Sequence, residues 1–206
     1  KIAEGCSNGC AFCVIPKLRG RYRSRSMEAL LDEAEGLARR GVKELIVIAQ
    51  DITRYGLDLK DGTTLAKLLT ELCKLDFHWI RLHYLYPEAI TDELIETIAA
   101  QPKILHYLDI PIQHCNDGIL KAMRRRSTKA ELEALFARVR AAMPDVVLRT
   151  SLICGLPGEG EAEFEELCQF LREQKLQRAG VFQFSPEEGT LAAAMENQVE
   201  PEIAER

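Results

Sequence analysis

Three cysteines crowd into eight residues, Cys6-Ser-Asn-Gly-Cys10-Ala-Phe-Cys13, while Cys73, Cys115, Cys154 and Cys168 are scattered. Thiolates are soft donors that suit zinc and iron–sulfur centres. Gly5 and Gly9 let the backbone turn tightly enough for three of them to converge on one centre. Three is the informative number. A structural zinc site takes four protein ligands, and a closed 4Fe–4S cluster takes four cysteines. His78, His83, His106 and His114 all lie far along the chain, so no local fourth ligand is visible. A three-cysteine site leaves one iron with an open coordination position, which is what catalysis needs. A zinc knuckle completed by a distant cysteine or histidine is the alternative. A simple redox pair is disfavoured by the third cysteine beside Cys10 and Cys13.

Such a loop needs a scaffold, and the chain alternates strand-like with helix-like segments from end to end. Apolar or β-branched runs occur at Lys1–Glu4, Lys43–Ala49, Trp79–Tyr86, Leu105–Ile112, Val146–Ile153 and Arg178–Phe184. Between them, apolar residues recur at helical spacing. Leu30, Leu31, Ala34, Leu37 and Ala38 mark one face, with Gly41 as its stop. Leu65, Leu68, Leu69 and Leu72 mark another behind Thr63 and Thr64 as cap candidates. Further helices are expected from about Thr91, near Asn116–Arg125, after Thr128 with its capping-box partner Glu131, and around Phe164, Leu167, Cys168 and Leu171. Six strands separated by helices imply right-handed crossovers and a parallel sheet. The expected fold is α/β, a partial (β/α)6 barrel of one domain over residues 1–206, with a flat doubly wound sheet as the alternative. In both, the site sits at the C-terminal ends of the strands, where the cysteine loop falls.

Composition narrows the class. Hydrophobic residues make up 47% and charged residues 29%, as in ordinary globular proteins. No apolar run approaches the roughly 18 residues of a membrane span. An odd cysteine count, unevenly spread, argues against a secreted disulfide scaffold and for a reducing cytoplasm. The net charge of −5 leans away from a domain that grips nucleic acid with its own surface, and towards a basic protein partner or a small molecule. The chain opens on Lys1, just before the cysteine loop, and closes on the charged Glu200–Arg206, as expected of a piece of a longer protein.

The pattern Cys6-x-x-x-Cys10-x-x-Cys13, with the aromatic Phe12 just before the last cysteine, resembles the radical S-adenosylmethionine (SAM) superfamily. The resemblance implies a 4Fe–4S cluster held by those cysteines. SAM chelates the open iron and is cleaved to methionine and a 5′-deoxyadenosyl radical. Leu108–His114, Arg149–Glu159, Ile15–Gly20 and Phe184–Gly189 resemble the methylthiotransferases within that superfamily. Gln50-Asp51 with Tyr55-Gly56, and the pair Asp109 and His114, resemble the branch that modifies a small-subunit ribosomal protein on the β-carbon of an aspartate. That family also implies an electron donor of flavodoxin or ferredoxin type, an N-terminal domain with a second cluster, and a C-terminal β-domain. Both are expected to lie outside this chain. The rivals are the same chemistry on an adenosine of tRNA, and a non-catalytic, metal-stabilised binding module.

By the same resemblance, Gln50 and Asp51 hold the methionine end of SAM, and Gln113 the ribose. Gly155 and Glu159, in Gly155-Leu-Pro-Gly-Glu159, contact the adenosine; the plainer reading is a helix start whose acidic residues favour the dipole. Arg149 is a cation in an apolar strand. It pairs with a carboxylate of SAM or substrate, or forms a structural ion pair with Asp109. Arg19, Arg21, Arg23 and Arg25 form either a solvated basic loop or a contact for substrate or a neighbouring domain. His114 is an acid–base or a structural candidate. Cys73, Cys115, Cys154 and Cys168 read as packing residues.

Overall fold

The computed structural model describes Lys1–Arg206. Its strands are β1 (Ala3–Glu4), β2 (Arg23–Ser24), β3 (Glu44–Val47), β4 (Trp79–Leu82), β5 (Ile104–Asp109), β6 (Val147–Cys154) and β7 (Arg178–Gln183). Its helices are α1 (Ile15–Arg19), α2 (Met27–Arg39), α3 (Leu65–Leu72), α4 (Asp92–Ala100), α5 (Asp117–Ala122), α6 (Lys129–Ala142), α7 (Glu161–Gln174) and α8 (Pro201–Glu205). The helix starts follow the sequence chemistry. Thr64, Thr91 and Asn116 each accept a backbone N–H from the first turn of α3, α4 and α5. Thr128 and Glu131 complete the capping box of α6. Ser26 caps α2 in the same way.

Strands β3 to β7 form one sheet in the order β3-β4-β5-β6-β7, every pair parallel. Spatial order equals chain order, so the winding never reverses. A doubly wound sheet would reverse at a switch point, and that alternative falls. The sheet is also one-sided. Leu148, Thr150 and Leu152 of β6 are buried, whereas Val147, Arg149 and Ser151 between them are only half-buried. The buried face joins Ile80, Leu82 and Leu108 to Leu68, Leu69, Ile98, Phe136 and Phe170 in one continuous core of 37 residues. Helices on one face of an unreversed parallel sheet are the arrangement of an open, partial barrel.

One expectation is corrected. The first of the six expected strands, Lys1–Glu4, is not a member of the parallel sheet. Ala3 and Glu4 pair antiparallel with Ser24 and Arg23, and a single bond from Ile2 N–H to the Ile48 carbonyl (2.9 Å) ties the segment to the sheet edge. The physical reason is the cysteine loop itself. At Gly5 the chain already turns away with φ +72°, which leaves too few residues for a ladder. The returning segment takes the free edge through Arg25 N–H to the Ile2 carbonyl. Strands β3 and β4 are also shorter at their C-terminal ends than the apolar runs suggest, because Ile48, Ala49 and His83–Tyr86 leave the ladder to build loops.

Phe136 and Phe170 pack with ring centroids 6.2 Å apart between α6 and α7. Phe164, expected on the same apolar face of α7, is instead 38% exposed. Phe136→Ala is therefore expected to lose about 3–5 kcal/mol in urea unfolding, and Phe164→Ala about 1 kcal/mol or less. Similar losses for the two would contradict this core assignment.

Candidate active site

The cysteine loop builds no element of its own and is held by others. Gly5 cannot be replaced without displacement, since a Cβ there would lie 2.2 Å from the Arg21 carbonyl oxygen. Cys6 N–H donates to the Gly20 carbonyl (3.1 Å), and Cys13 N–H to the Cys10 carbonyl (3.2 Å). Ser7 Oγ accepts from Tyr22 N–H. Ala11 is buried; its N–H donates to the Met123 carbonyl and its own carbonyl accepts from Ala192 N–H, both at 2.9 Å. Around it, Ile119, Met123, Leu156 and Ala192 form a small second core against which Phe12 packs.

Burial pushes the thiols of Cys6 and Cys13 above their ordinary range. Cys6 also feels the charges of Asp51, Cys10 and Cys13, which places the three sulfurs in one neighbourhood. Cys10 Sγ lies 3.5 Å from Tyr86 Oη and 3.8 Å from Arg125 Nη1. The three sulfurs do not converge on a single point with metal-binding geometry. Three soft sulfur donors suit an iron–sulfur cluster better than a hard cation. A positive group already stands at Cys10 to offset thiolate charge, so the residues present fit such a cluster.

The expected SAM contacts divide into separate groups. Phe12 and Gln113 meet in one cavity of about 310 Å³, with Ser151, Ile153 and Phe182. Gln113 holds φ +72° and is fastened through its backbone, N–H to Ser151 and carbonyl from Ile153. Gly155 and Glu159 line a second cavity of about 650 Å³, closed on its far side by Asn197, Val199, Ile203 and Ala204. Gly155 (φ +78°) sits directly under α8, because a Cβ there would lie 2.6 Å from Ala204 Cβ. The Glu159 side chain is covered; its Oε2 accepts from Leu156 N–H at 3.0 Å and its Oε1 stands 3.7 Å from His114 Nε2. Both cavities flank Ile153–Gly155 at the C-terminal end of β6.

Other candidates are engaged by the protein. Asp51 is fully buried; one oxygen accepts from Thr53 N–H and the other from Asn8 Nδ2 at 2.9 Å, so it ties the cysteine loop to the loop after β3. Gln50 is exposed beside it. Arg149 pairs with buried Asp109 at 2.5 Å, and His83 Nδ1 approaches the other Asp109 oxygen at 3.1 Å. This is the structural ion pair offered as the alternative. His114 is fully buried, and its Nδ1 accepts from Asn116 N–H. Arg19, Arg21 and Arg23 are exposed, and Arg25 pairs with Glu33. Sequence reasoning missed Tyr86, Asn8 and Arg125. Arg125 stands in the run Arg124-Arg125-Arg126, which reads as solvated, and only the fold turns the middle one inward.

The model of the radical SAM superfamily matches residues 1–171. The chain belongs to that superfamily. It is 55% identical over 204 residues to the ribosomal protein uS12 methylthiotransferase RimO of Pelobacter propionicus, covering 98% of this chain and 45% of that protein. With the enzyme of the same name from Geobacter sulfurreducens it shares 53% identity, over 98% of this chain and 46% of the relative. The chain thus spans about half the length of the curated relatives it matches. Among solved structures, the radical SAM methyltransferase TsrM of Kitasatospora setae, with cobalamin and a [4Fe-4S] cluster bound, superposes with a TM-score of 0.72 at 19% identity, over 88% of this chain and 35% of that one. Coproporphyrinogen III oxidase HemN of Escherichia coli gives 0.65 at 18% identity, over 96% of this chain and 47% of the other. At such identities these two likenesses speak for the fold.

Burial and the nearby Glu159 push the Cys154 thiol up to about 11, and burial pushes Cys115 to about 12. At pH 8 only about one Cys154 in a thousand is thiolate, the reactive form. Iodoacetamide mapped by peptide mass spectrometry is expected to leave both unlabelled at pH 8, with Cys154 labelling only as the pH nears 11. Rapid labelling of Cys154 at pH 8 would restore it as a candidate ligand or nucleophile.

Proposed function

We propose that this chain is the radical SAM core of an enzyme that methylthiolates the β-carbon of an aspartate in the small-subunit ribosomal protein uS12. The observation that carries the reading is an identity of 50–55% across nearly the whole chain to relatives named for that activity. The acidic balance of the domain, −5 overall, agrees with a basic ribosomal protein as substrate and disfavours the rival, an adenosine of tRNA.

In this reading Cys6, Cys10 and Cys13 hold a 4Fe–4S cluster. When bound, such a cluster supplies the electron for reductive cleavage of SAM to methionine and a 5′-deoxyadenosyl radical. Phe12 and Gln113 form the wall of the SAM site nearer the cysteine loop, and Gly155 and Glu159 bound the space for its adenosine. Gln50, exposed above the loop after β3, is available to the methionine end, while Asp51 keeps Asn8 and hence the cysteine loop in place. Arg149 holds buried Asp109 neutralised at the open face of the sheet. The longer protein supplies a second cluster from an N-terminal domain and a C-terminal β-domain, and a flavodoxin- or ferredoxin-like donor supplies electrons in the cytoplasm.

The full-length enzyme, reduced and given SAM, is expected to replace one hydrogen of uS12 by a methylthio group, read by mass spectrometry. Modified tRNA with unmodified uS12 would sink the substrate assignment. On the reconstituted chain, about four irons are expected, with a paramagnetic resonance spectrum altered by SAM. Cys10→Ala should lose both the iron and the SAM response. Zinc in place of iron would leave only a metal-stapled binding domain.

A further inference from the structure

Arg125 is a buried cation without an anion. It is 7% exposed, whereas Arg124 and Arg126 on either side are exposed. Arg124 adopts φ +55° just beyond α5, and the chain there turns its neighbour inward. The guanidinium donates from Nη2 to the Pro111 carbonyl (2.9 Å) and approaches Cys10 Sγ with Nη1 (3.8 Å). Its Nε is enclosed and faces no acceptor. The guanidinium lies over the Tyr86 ring, 4.0 Å from the centroid, and Tyr86 Oη stands 3.5 Å from the same sulfur.

A guanidinium taken out of water without a counter-charge is strongly disfavoured, and a ring face and one carbonyl return only part of that loss. Arg125 forms no ion pair with a carboxylate, unlike Arg149 or Arg25. Glu88 is taken up by the N–H groups of Arg126 and Ser127, and the group the Arg125 guanidinium approaches that is able to carry negative charge is Cys10, as a thiolate. Two polar groups from different loops, the one after α5 and the one after β4, therefore meet at one sulfur.

We infer that Arg125 and Tyr86 position Cys10 and set the reduction potential of the cluster it holds. The inference rests on Cys10 being a cluster ligand. Adding one electron from the external donor makes the cluster more negative, and a fixed cation and an O–H donor at a ligand sulfur favour that state. They raise the potential and ease electron delivery. A purely structural Arg125, stapling Pro111 to Tyr86, would leave the potential where it is.

The test uses this chain, reconstituted anaerobically, with the midpoint potential taken from a redox titration followed by paramagnetic resonance. Iron content and thermal unfolding are measured alongside. At the parent's midpoint, the reduced-to-oxidised ratio of Arg125→Gln is expected to fall about tenfold, a shift of about 59 mV to lower potential for a one-electron couple. Tyr86→Phe should shift the same way by less, and Arg125→Lys, which keeps the charge, less than Arg125→Gln. Unchanged midpoints in Arg125→Gln and Tyr86→Phe overturn the inference. Should Arg125→Gln fail to retain iron, Tyr86→Phe decides: a lower midpoint supports the proposal and a parental one overturns it. A parent that forms no iron–sulfur cluster shows instead that the ligand reading is wrong, and the inference falls with it.

Discussion

Ala11 exchanges both of its backbone hydrogen bonds with distant chain, donating to Met123 and accepting from Ala192. The arrangement around the cysteines depends on that pair. An eight-residue loop with no internal ladder has no intrinsic shape, and its conformational entropy opposes any fixed set of three thiol positions. Here the loop is clamped at its middle by Ala11, at its start by Gly20 and Arg21 against Gly5, and from the side by Asp51 through Asn8. The side-chain cluster of Ile119, Met123, Leu156 and Ala192 removes water from around those bonds, which strengthens them relative to solvent-exposed ones. Preorganisation of this kind lowers the ordering cost when a cofactor binds.

The unreversed winding of the sheet has a second consequence. Because α2, α3, α4, α6 and α7 pack on one face, the other is left open and carries charge instead of core. Glu44 pairs with Arg81 at 2.5 Å, Arg81 lies over the Tyr107 ring, and Arg149 and His83 converge on Asp109. Asp109 is fully buried at the C-terminal end of β5, so loss of Arg149 would leave its charge poorly compensated. The half-exposed arginines keep part of their hydration and make the open face polar without unpaired buried charge. This is the opposite of a doubly wound sheet, whose strands are apolar on both sides.

Legibility followed the range of the interactions. Helix caps at Thr64, Thr91, Asn116 and Thr128 are decided within four residues, and all were readable. The strand runs of β3 to β7 were readable for the same reason. The first strand was not, because its fate depends on competition between the sheet edge and the returning Arg23–Arg25 segment. The burial of Asp51 was hidden too, since only the fold brings Asn8 to it. Residue type alone allows Arg149 two partners, and the register of β5 against β6, Asp109 beside Arg149, chooses between them.

The candidate ligand set and the class of fold were legible in the sequence alone: three cysteines at fixed spacing behind a first apolar run, then repeated strand and helix periods. These are local properties, written in residue type and spacing. Tertiary structure alone decided which polar groups stand at the sulfurs. Tyr86, at the end of the β4 run, and Arg125, beyond α5, reach Cys10 only because parallel strands bring all their C-terminal loops to one end of the sheet. The middle arginine of an ordinary basic run thereby becomes a buried charge whose partner lies across the molecule.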